Sequence, residues 1–336
     1  MKKYKSIVLC GIAALLCLVL LASCQKKAVE LPQHVIDVMQ KSVVPLAENS
    51  VVGISRGEDH EKVTAAAIEN AGGLSEIIKP GNTVLIKPNL CTIAEVDSAL
   101  TTDYRVVQKV ADLARECGAS RIIVADGGIR GDTMTASLNT GKYGTITGVE
   151  TLDLSSTHIK QCYELKPGIS LTGRSLFVPK VYMDADVVIT VAKLKTHYQP
   201  AAVVSLGLKN VIGVAPSTIY STAGFRDGVH ALGLTEVILD LNRIRKPDFT
   251  VIDGIIGGEG YGPLECTPVK SNIVLAGKDI VAVDTVALNF MGFKTEDVAH
   301  VIYAGNQKLG VTDLAKIKIV GAELESIKMK FKSPFE

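Results

Sequence analysis

Tryptophan is absent from this 336-residue sequence, and only 5% of the residues are aromatic. That scarcity argues against a sugar-binding groove or a single-strand stacking platform, since both rely on ring faces. An excess of either charge is missing too. Lys and Arg number 36 against 35 Asp and Glu, a net charge of +1. A nucleic-acid partner needs a basic stripe to neutralise phosphates, so none is expected. No two cysteines stand at C-x-x-C spacing. Neither a zinc ribbon nor an iron–sulfur cluster is therefore expected. No G-x-x-x-x-G-K-[ST] occurs, which removes a P-loop. The densest glycine cluster, Gly257-Gly258-Glu259-Gly260-Tyr261-Gly262-Pro263, does not fit G-x-G-x-x-G and runs into proline rather than a helix. A dinucleotide fingerprint is unsupported. Disorder is excluded by the 47% hydrophobic content, and 30 glycines point to many tight turns rather than long bundles.

Part of that apolar content is a leader. Met1-Lys2-Lys3-Tyr4-Lys5 is basic, residues 7–22 carry no charge, and Leu21-Ala22-Ser23-Cys24 comes next. This is the pattern of a signal peptide. The Leu-Ala-Ser-Cys end resembles a bacterial lipobox, which implies cleavage before Cys24 and lipidation of its thiol. The expected partner is the membrane, through a lipid anchor at Cys24. The competing reading, an uncleaved anchor, needs a span of about 20 residues, and this run is short for it. Removing 23 residues leaves 313 (336 − 23) outside the cytoplasm. Residues 24–50 read as a tether and 51–336 as one large α/β domain. Cys91, Cys117, Cys162 and Cys266 then form either two disulfides or buried single thiols.

Beyond residue 50, near-continuous Val/Ile/Leu runs alternate with helical patterns. Strands are expected at 83–87, 121–126, 186–192, 249–253, 272–276 and 317–320, and helices at 61–70, 104–116, 233–244 and 280–291. Strands buried on both faces read this way, so the fold class is α/β: a mostly parallel sheet with helices on both faces. Residues 130–180, rich in Gly, Thr and Ser, break the rhythm as an irregular insertion or cap.

The chemistry lies in the residues just past the strand ends. One strand runs into Lys87-Pro88-Asn89 and another into Asp126-Gly127-Gly128. A third runs into Lys193-Leu194-Lys195-Thr196-His197, and a fourth into Asp253-Gly254 and the Gly-Glu-Gly loop. In open parallel sheets, ligands bind outside the carboxyl ends of the strands. Lys193 and Lys195 share a strand face at period two, and two like charges there repel unless an anion lies between them. Lys87, Asn89, Lys193, Lys209 and Asn210 are therefore candidates for binding a small anionic ligand. Lys195, His197 and Glu259 are candidates for acid–base or nucleophilic work. Asp126, Asp253 and Glu259 are candidates to hold a divalent metal. Asp-Gly after a strand is also a common turn. His34, His60, His158 and His300 read as surface residues.

A rival pattern is Gly53-Ile54-Ser55-Arg56-Gly57, which matches the G-x-S-x-G nucleophile elbow of a serine hydrolase using Ser55. Only Val51-Val52 precede it, and Glu58-Asp59-His60 delay the helix that should begin at once. A non-catalytic, anion-binding lipoprotein is the other alternative.

The ordered set of motifs resembles a known family. The set is Val84-Leu85-Ile86-Lys87-Pro88-Asn89-Leu90, then Lys193-Leu194-Lys195-Thr196-His197 and Leu208-Lys209-Asn210-Val211-Ile212-Gly213. Val251-Ile252-Asp253-Gly254 with Glu259-Gly260-Tyr261-Gly262-Pro263 comes next, and Ala276-Gly277-Lys278-Asp279 through Val281-Ala282-Val283-Asp284 to Met291-Gly292 closes it. In this order it is similar to the bacterial and archaeal family called domain of unknown function 362, over about residues 51–292. The resemblance implies the α/β fold and brings no settled reaction with it. Some relatives append a ferredoxin-type cluster domain, for which this chain lacks the cysteines. The lactate-racemase fold is a more distant likeness, an analogy of fold alone. The segment Leu264-Glu265-Cys266-Thr267-Pro268 departs from the family's usual turn, so no role for Cys266 is carried over.

Overall fold

The computed structural model of the protein describes residues 31–44, 49–128, 133–221 and 227–336. The expected signal segment, the lipidation site Cys24 and part of the expected tether lie outside them. The α/β body is the second of two units, Met1–Gln33 and His34–Glu336. Among the described residues no helix is long and apolar enough to cross a membrane.

Eleven strands are described: β1 (Ser50–Arg56), β2 (Thr83–Pro88), β3 (Arg121–Asp126), β4 (Glu150–Asp153), β5 (Cys162–Leu165), β6 (Leu176–Pro179), β7 (Val187–Thr196), β8 (Val204–Ser205), β9 (Phe249–Tyr261), β10 (Glu265–Gly277) and β11 (Ile317–Gly321). Nine form one sheet in the order β11-β1-β10-β9-β7-β2-β3-β4, with β8 paired to β7. Along that path β10 is antiparallel to both neighbours. The other pairs are parallel. The expected mostly parallel sheet is thus present, and β2, β3, β7 and β9 bring their carboxyl ends to one rim.

Local chemistry sets the helices. Tyr104–Glu116 starts where the Asp103 carboxylate accepts the Arg105 N–H, and it buries Val106, Val107, Val110, Ala111 and Ala114 at helical spacing. It packs with the helix His60–Asn70 on one face of the sheet, against Val84, Ile86, Val124, Ile189 and Val251. Each such buried aliphatic contributes about 1.5–3 kcal/mol. Ile280–Met291, capped by Asp279, covers the other face and is buried on nearly every side. Leu234–Ile244 packs there as well.

Three expectations change. The tether region holds a helix, Gln33–Val43, that docks on the body: Val35 is fully buried and Lys41 Nζ lies 2.6 Å from Asp248 Oδ1. Its short amphipathic stretch has found a partner face. The 130–180 segment is only partly an insertion, because β4 extends the main sheet beside β3 while β5 and β6 form a separate two-stranded sheet. The glycine cluster expected as a loop is strand instead: β9 continues to Tyr261, and Gly257, Gly258 and Gly260 pair with Val269, Pro268 and Cys266 of β10.

Candidate functional site

Lys87, Lys193 and Lys195 are nearly inaccessible, at 1%, 1% and 0% exposure. A buried ammonium is costly unless its charge is met. Lys87 Nζ lies 2.6 Å from Asp126 Oδ1. It also donates to Pro88 O (3.1 Å) and Asn210 Oδ1 (3.3 Å). Asp126 is in turn committed to the Leu90 and Gly127 N–H groups. Gly213 passes directly over this pair. A Cβ there would overlap Asp126 Oδ1 and Lys87 Nζ, so only glycine lets the Val211–Val214 turn approach.

Lys193 makes the second pair, 2.8 Å from Asp253 Oδ2. Asp253 also accepts the Asp103 N–H (2.9 Å) and the Ile255 N–H (3.2 Å). Asp103 itself is buried, which would raise its carboxyl. Hydrogen bonds from Arg105 and His60 outweigh that and hold it well below the usual range.

Lys195 is different. Its Nζ donates to Leu100 O (2.5 Å), Cys91 Sγ (3.0 Å) and, at 3.5 Å, Pro263 O. None of these carries a fixed negative charge.

His197, the first residue past β7, is held in place by backbone bonds from its own N–H to Val203 O (2.7 Å) and from Tyr198 N to Gly262 O (2.7 Å). Burial lowers the His197 pKa far below its ordinary value, and the cations Lys209 and Lys195 add to this. The imidazole is neutral. Its Nδ1 accepts the Gln199 N–H at 3.1 Å, which assigns the ring proton to Nε2. In this tautomer His197 presents a hydrogen-bond donor.

These groups line one cavity of about 50 Å³, with Lys87, Asn89, Cys91, Lys193, Lys195, His197, Lys209, Asn210 and His230 in its wall. One water needs roughly 10–15 Å³ on this measure, so a few waters or a small ligand fill it. Lys193 spends one ammonium hydrogen on Asp253, leaving two for this space. Asn89 Nδ2 donates to Asn210 Oδ1, while its buried Oδ1 has no protein partner. Asn210 is a stitch rather than an orienting group, because its Nδ2 is spent on Thr190 Oγ1, Lys87 O and Pro88 O. The helix Gly207–Asn210, which carries Lys209 and Asn210, is anchored from below. Its first N–H groups, from Gly207 and Leu208, donate to the fully buried Asp284 (2.8 and 2.9 Å).

The three expected metal ligands do not come together. Asp126 and Asp253 are each paired with a lysine, and Glu259 turns away to accept the Lys332 N–H at 2.8 Å. Among the described residues no group of three or more His, Cys, Asp and Glu is placed to hold a metal. The site contains cations where a divalent ion would need anions. The Glu259 acid–base role falls with the same observation. Ser55 lies inside β1, paired with Val274, rather than on a strand-to-helix turn. The elbow geometry is absent. His300, expected at the surface, is fully buried, and burial, with Lys209 adding to it, pushes it down to about 3. The four described cysteines are all free.

Sequence reasoning missed Cys91, Asp103 and Asp284. Cys91 had a signal to notice, since it stands two residues beyond the Lys87-Pro88-Asn89 strand end. Asp103 acts through partners that no local pattern announces, and Asp284, although it ends the Val281-Ala282-Val283-Asp284 motif, carried no role there.

Comparison with known proteins places these residues in context. A thylakoid-associated protein of Synechocystis sp. is 28% identical over 273 residues, covering 79% of this chain and 81% of that protein. Among solved structures, the lactate racemase apoprotein of Thermoanaerobacterium thermosaccharolyticum matches 66% of this chain and 52% of its own, with a TM-score of 0.43 and 12% identity. A Thermotoga maritima protein matches 63% of this chain and 54% of its own, at a TM-score of 0.39 and 14% identity. The chain spans about half the length of both solved structures. The domain of unknown function 362 matches residues 84–289, which hold β2, β3, β7, β9 and every lysine of the cavity. This chain belongs to that family.

Proposed function

We propose that the protein is an extracytoplasmic enzyme, tethered to the membrane through a lipid on Cys24, that acts on a small anion in the cavity at the carboxyl ends of β2, β7 and β9. One observation carries the binding part: the Lys195 ammonium is fully buried, and its partners are a thiol and two carbonyls. A buried cation without a carboxylate is stabilised by an anion brought from outside. The unspent hydrogens of Lys193 and the Nε2–H of His197 add donors for the same ligand. Asn89 Oδ1, a buried acceptor, asks that ligand for a hydroxyl or N–H as well. Lys87 and Asp126 form the floor rather than contacts to the ligand. No metal enters this reading.

The location rests on the Lys2–Cys24 pattern. Incorporation of radiolabelled palmitate that Cys24→Ser abolishes supports the anchor. Equal labelling of both forms rejects it.

Binding is tested by thermal unfolding of the full chain with phosphate, bicarbonate, acetate and glycolate. At a hundred times the dissociation constant a ligand stabilises by about 2.7 kcal/mol, which for a body of this size is a rise of several degrees. We expect at least one anion to give that rise in the wild type and none in Lys195→Met. No shift with any of them in the wild type removes the reading. A shift without turnover of the bound anion leaves the second reading, an anion-capturing lipoprotein.

A further inference from the structure

Cys91 differs from the other described cysteines. Burial pushes the Cys162 and Cys266 thiols up to about 11 and raises Cys117 as well. Cys91 instead borders the cavity, donates its S–H toward Leu100 O at 3.3 Å, and accepts a Lys195 hydrogen at 3.0 Å. The same Leu100 carbonyl takes a second Lys195 hydrogen. Sulfur and ammonium are thus held in one fixed geometry by a shared backbone oxygen. Cys266 lies near Lys195 too, and the lysine's charge partly offsets the burial that raises its thiol. The two approach over Gly258, where a Cβ would lie 2.9 Å from Cys266 Sγ and 3.1 Å from Lys195 Cβ.

A lysine beside a sulfur stabilises the thiolate, which is the form that attacks. We propose that Cys91 is a nucleophile of this cavity and adds to the electrophilic carbonyl carbon of a small anion held beside Lys195. The proposal rests on the anion-binding reading above. In the step, a C–S bond forms and the carbonyl π pair moves onto oxygen. The proton that leaves sulfur ends on that oxygen. The product, a hemithioacetal or hemithioketal, is the sum of the two reactants, so no oxidant or reductant takes part. His197 Nε2–H and the spare hydrogens of Lys193 border the same space and suit the oxygen as it gains charge. Collapse of the adduct returns the thiol.

The test compares iodoacetate, an anion, with neutral iodoacetamide on the full-length folded protein, and reads each cysteine by peptide mass spectrometry. Cys91 is expected to react about tenfold faster than Cys117, Cys162 and Cys266. Iodoacetate is expected to gain on iodoacetamide at Cys91 alone. Lys195→Met lowers the Cys91 rate and erases that preference. Glyoxylate, a small carboxylate with an aldehyde carbon, protects Cys91 reversibly and more strongly than acetate does.

A Cys91 rate no higher than that of Cys117 overturns the nucleophile, whatever the thermal shifts show. Rapid labelling by both reagents alike supports the nucleophile and removes the anion from its surroundings. Equal protection by acetate and glyoxylate overturns the covalent step and leaves binding intact. Cys91→Ser, measured by thermal shift with the same anions, keeps the two readings apart, because it deletes the sulfur and retains the ammonium.

Discussion

Lys87 and Lys193 differ from Lys195 in one respect that decides their roles. All three are buried at the same rim. The first two each face an aspartate, and those aspartates are locked by backbone N–H groups. Lys195 faces a thiol and two carbonyls. The paired lysines are framework: their charge is cancelled inside the protein, and removing the partner leaves an uncompensated ion. The third keeps a charge that the protein does not cancel. Buried charge is costly in either case, but only in the third is the protein's own charge left to be met from outside, by the anion proposed above.

The largest expected effect comes from breaking the framework half. Asp253→Ala strands the Lys193 ammonium and removes the carboxylate acceptor of the Asp103 and Ile255 N–H groups, and Asp126→Ala strands Lys87 and removes the acceptor of the Leu90 N–H, while the Gly127 N–H keeps Gly213 O. Each is expected to cost about 3–5 kcal/mol, read as a fall in the urea midpoint. A loss below about 1 kcal/mol in either variant would show that its pair is not structural, and the comparison would collapse.

The comparison also extends to a carboxylate. Asp284 is the mirror case of Lys195: fully buried, with backbone N–H partners from Gly207 and Leu208 and, among the described residues, no cation paired to it. Burial pushes it up to about 7, an effect those two bonds only partly offset. The unfolded value is about 3.9. The folded state therefore holds the extra proton between these values. The associated stability is complete below pH of about 4 and lost as pH rises toward 7. Stability is expected to fall by on the order of 2 kcal/mol from pH 5 to pH 8. Asp284→Asn should flatten that slope. An unchanged slope in the variant assigns the pH dependence elsewhere.

Much of this was legible in the sequence, and the exceptions share a cause. The strands ending in Lys87, Asp126 and Lys193 were visible as apolar runs, and their shared rim came with a parallel sheet. Which lysine meets which aspartate was not visible, because Lys193 and Asp253 lie 60 residues apart and register across the sheet decides the pairing. β1 was missed because its Ser-Val-Val-Gly-Ile-Ser-Arg run is short of apolar residues. It is a strand because β10 and β11 flank it. The Gly257–Tyr261 stretch looked like a loop for its glycines. It is strand because β10 folds back upon it, and Gly258 is small so that Lys195 and Cys266 can approach one another. Cys91 looked like a lone thiol until the chain around Leu100 brought Lys195 to it.

A smaller effect on stability is expected from the other half of the comparison. Lys195→Met removes a buried charge that has no carboxylate and fills the space with an apolar chain of similar length. Stability should change by no more than about 1 kcal/mol, in either direction. The anion-dependent rise in unfolding temperature should vanish. A loss as large as that of Asp253→Ala would mean that Lys195 is framework too, and the distinction drawn between the three lysines would fail.

The smallest effects are expected at Glu259 and Ser55, two polar residues that the sequence placed among the chemistry. Glu259 Oε2 accepts one backbone N–H, from Lys332, and it is absent from the cavity wall. Glu259→Gln keeps an oxygen for that bond and removes only a charge outside the site. Ser55 sits within β1 with its backbone paired to Val274, and Ser55→Ala preserves that pairing. Both should stay within about 0.5 kcal/mol of the wild type and leave the anion shift unchanged. These null results carry weight because the two residues are the anchors of the rival chemistries. A carboxylate that helped hold a metal, or a serine that attacked a substrate, would take function with it when changed. Loss of anion binding in Glu259→Gln would mean that a charge outside the cavity governs it, and Lys195 would no longer account for the anion by itself.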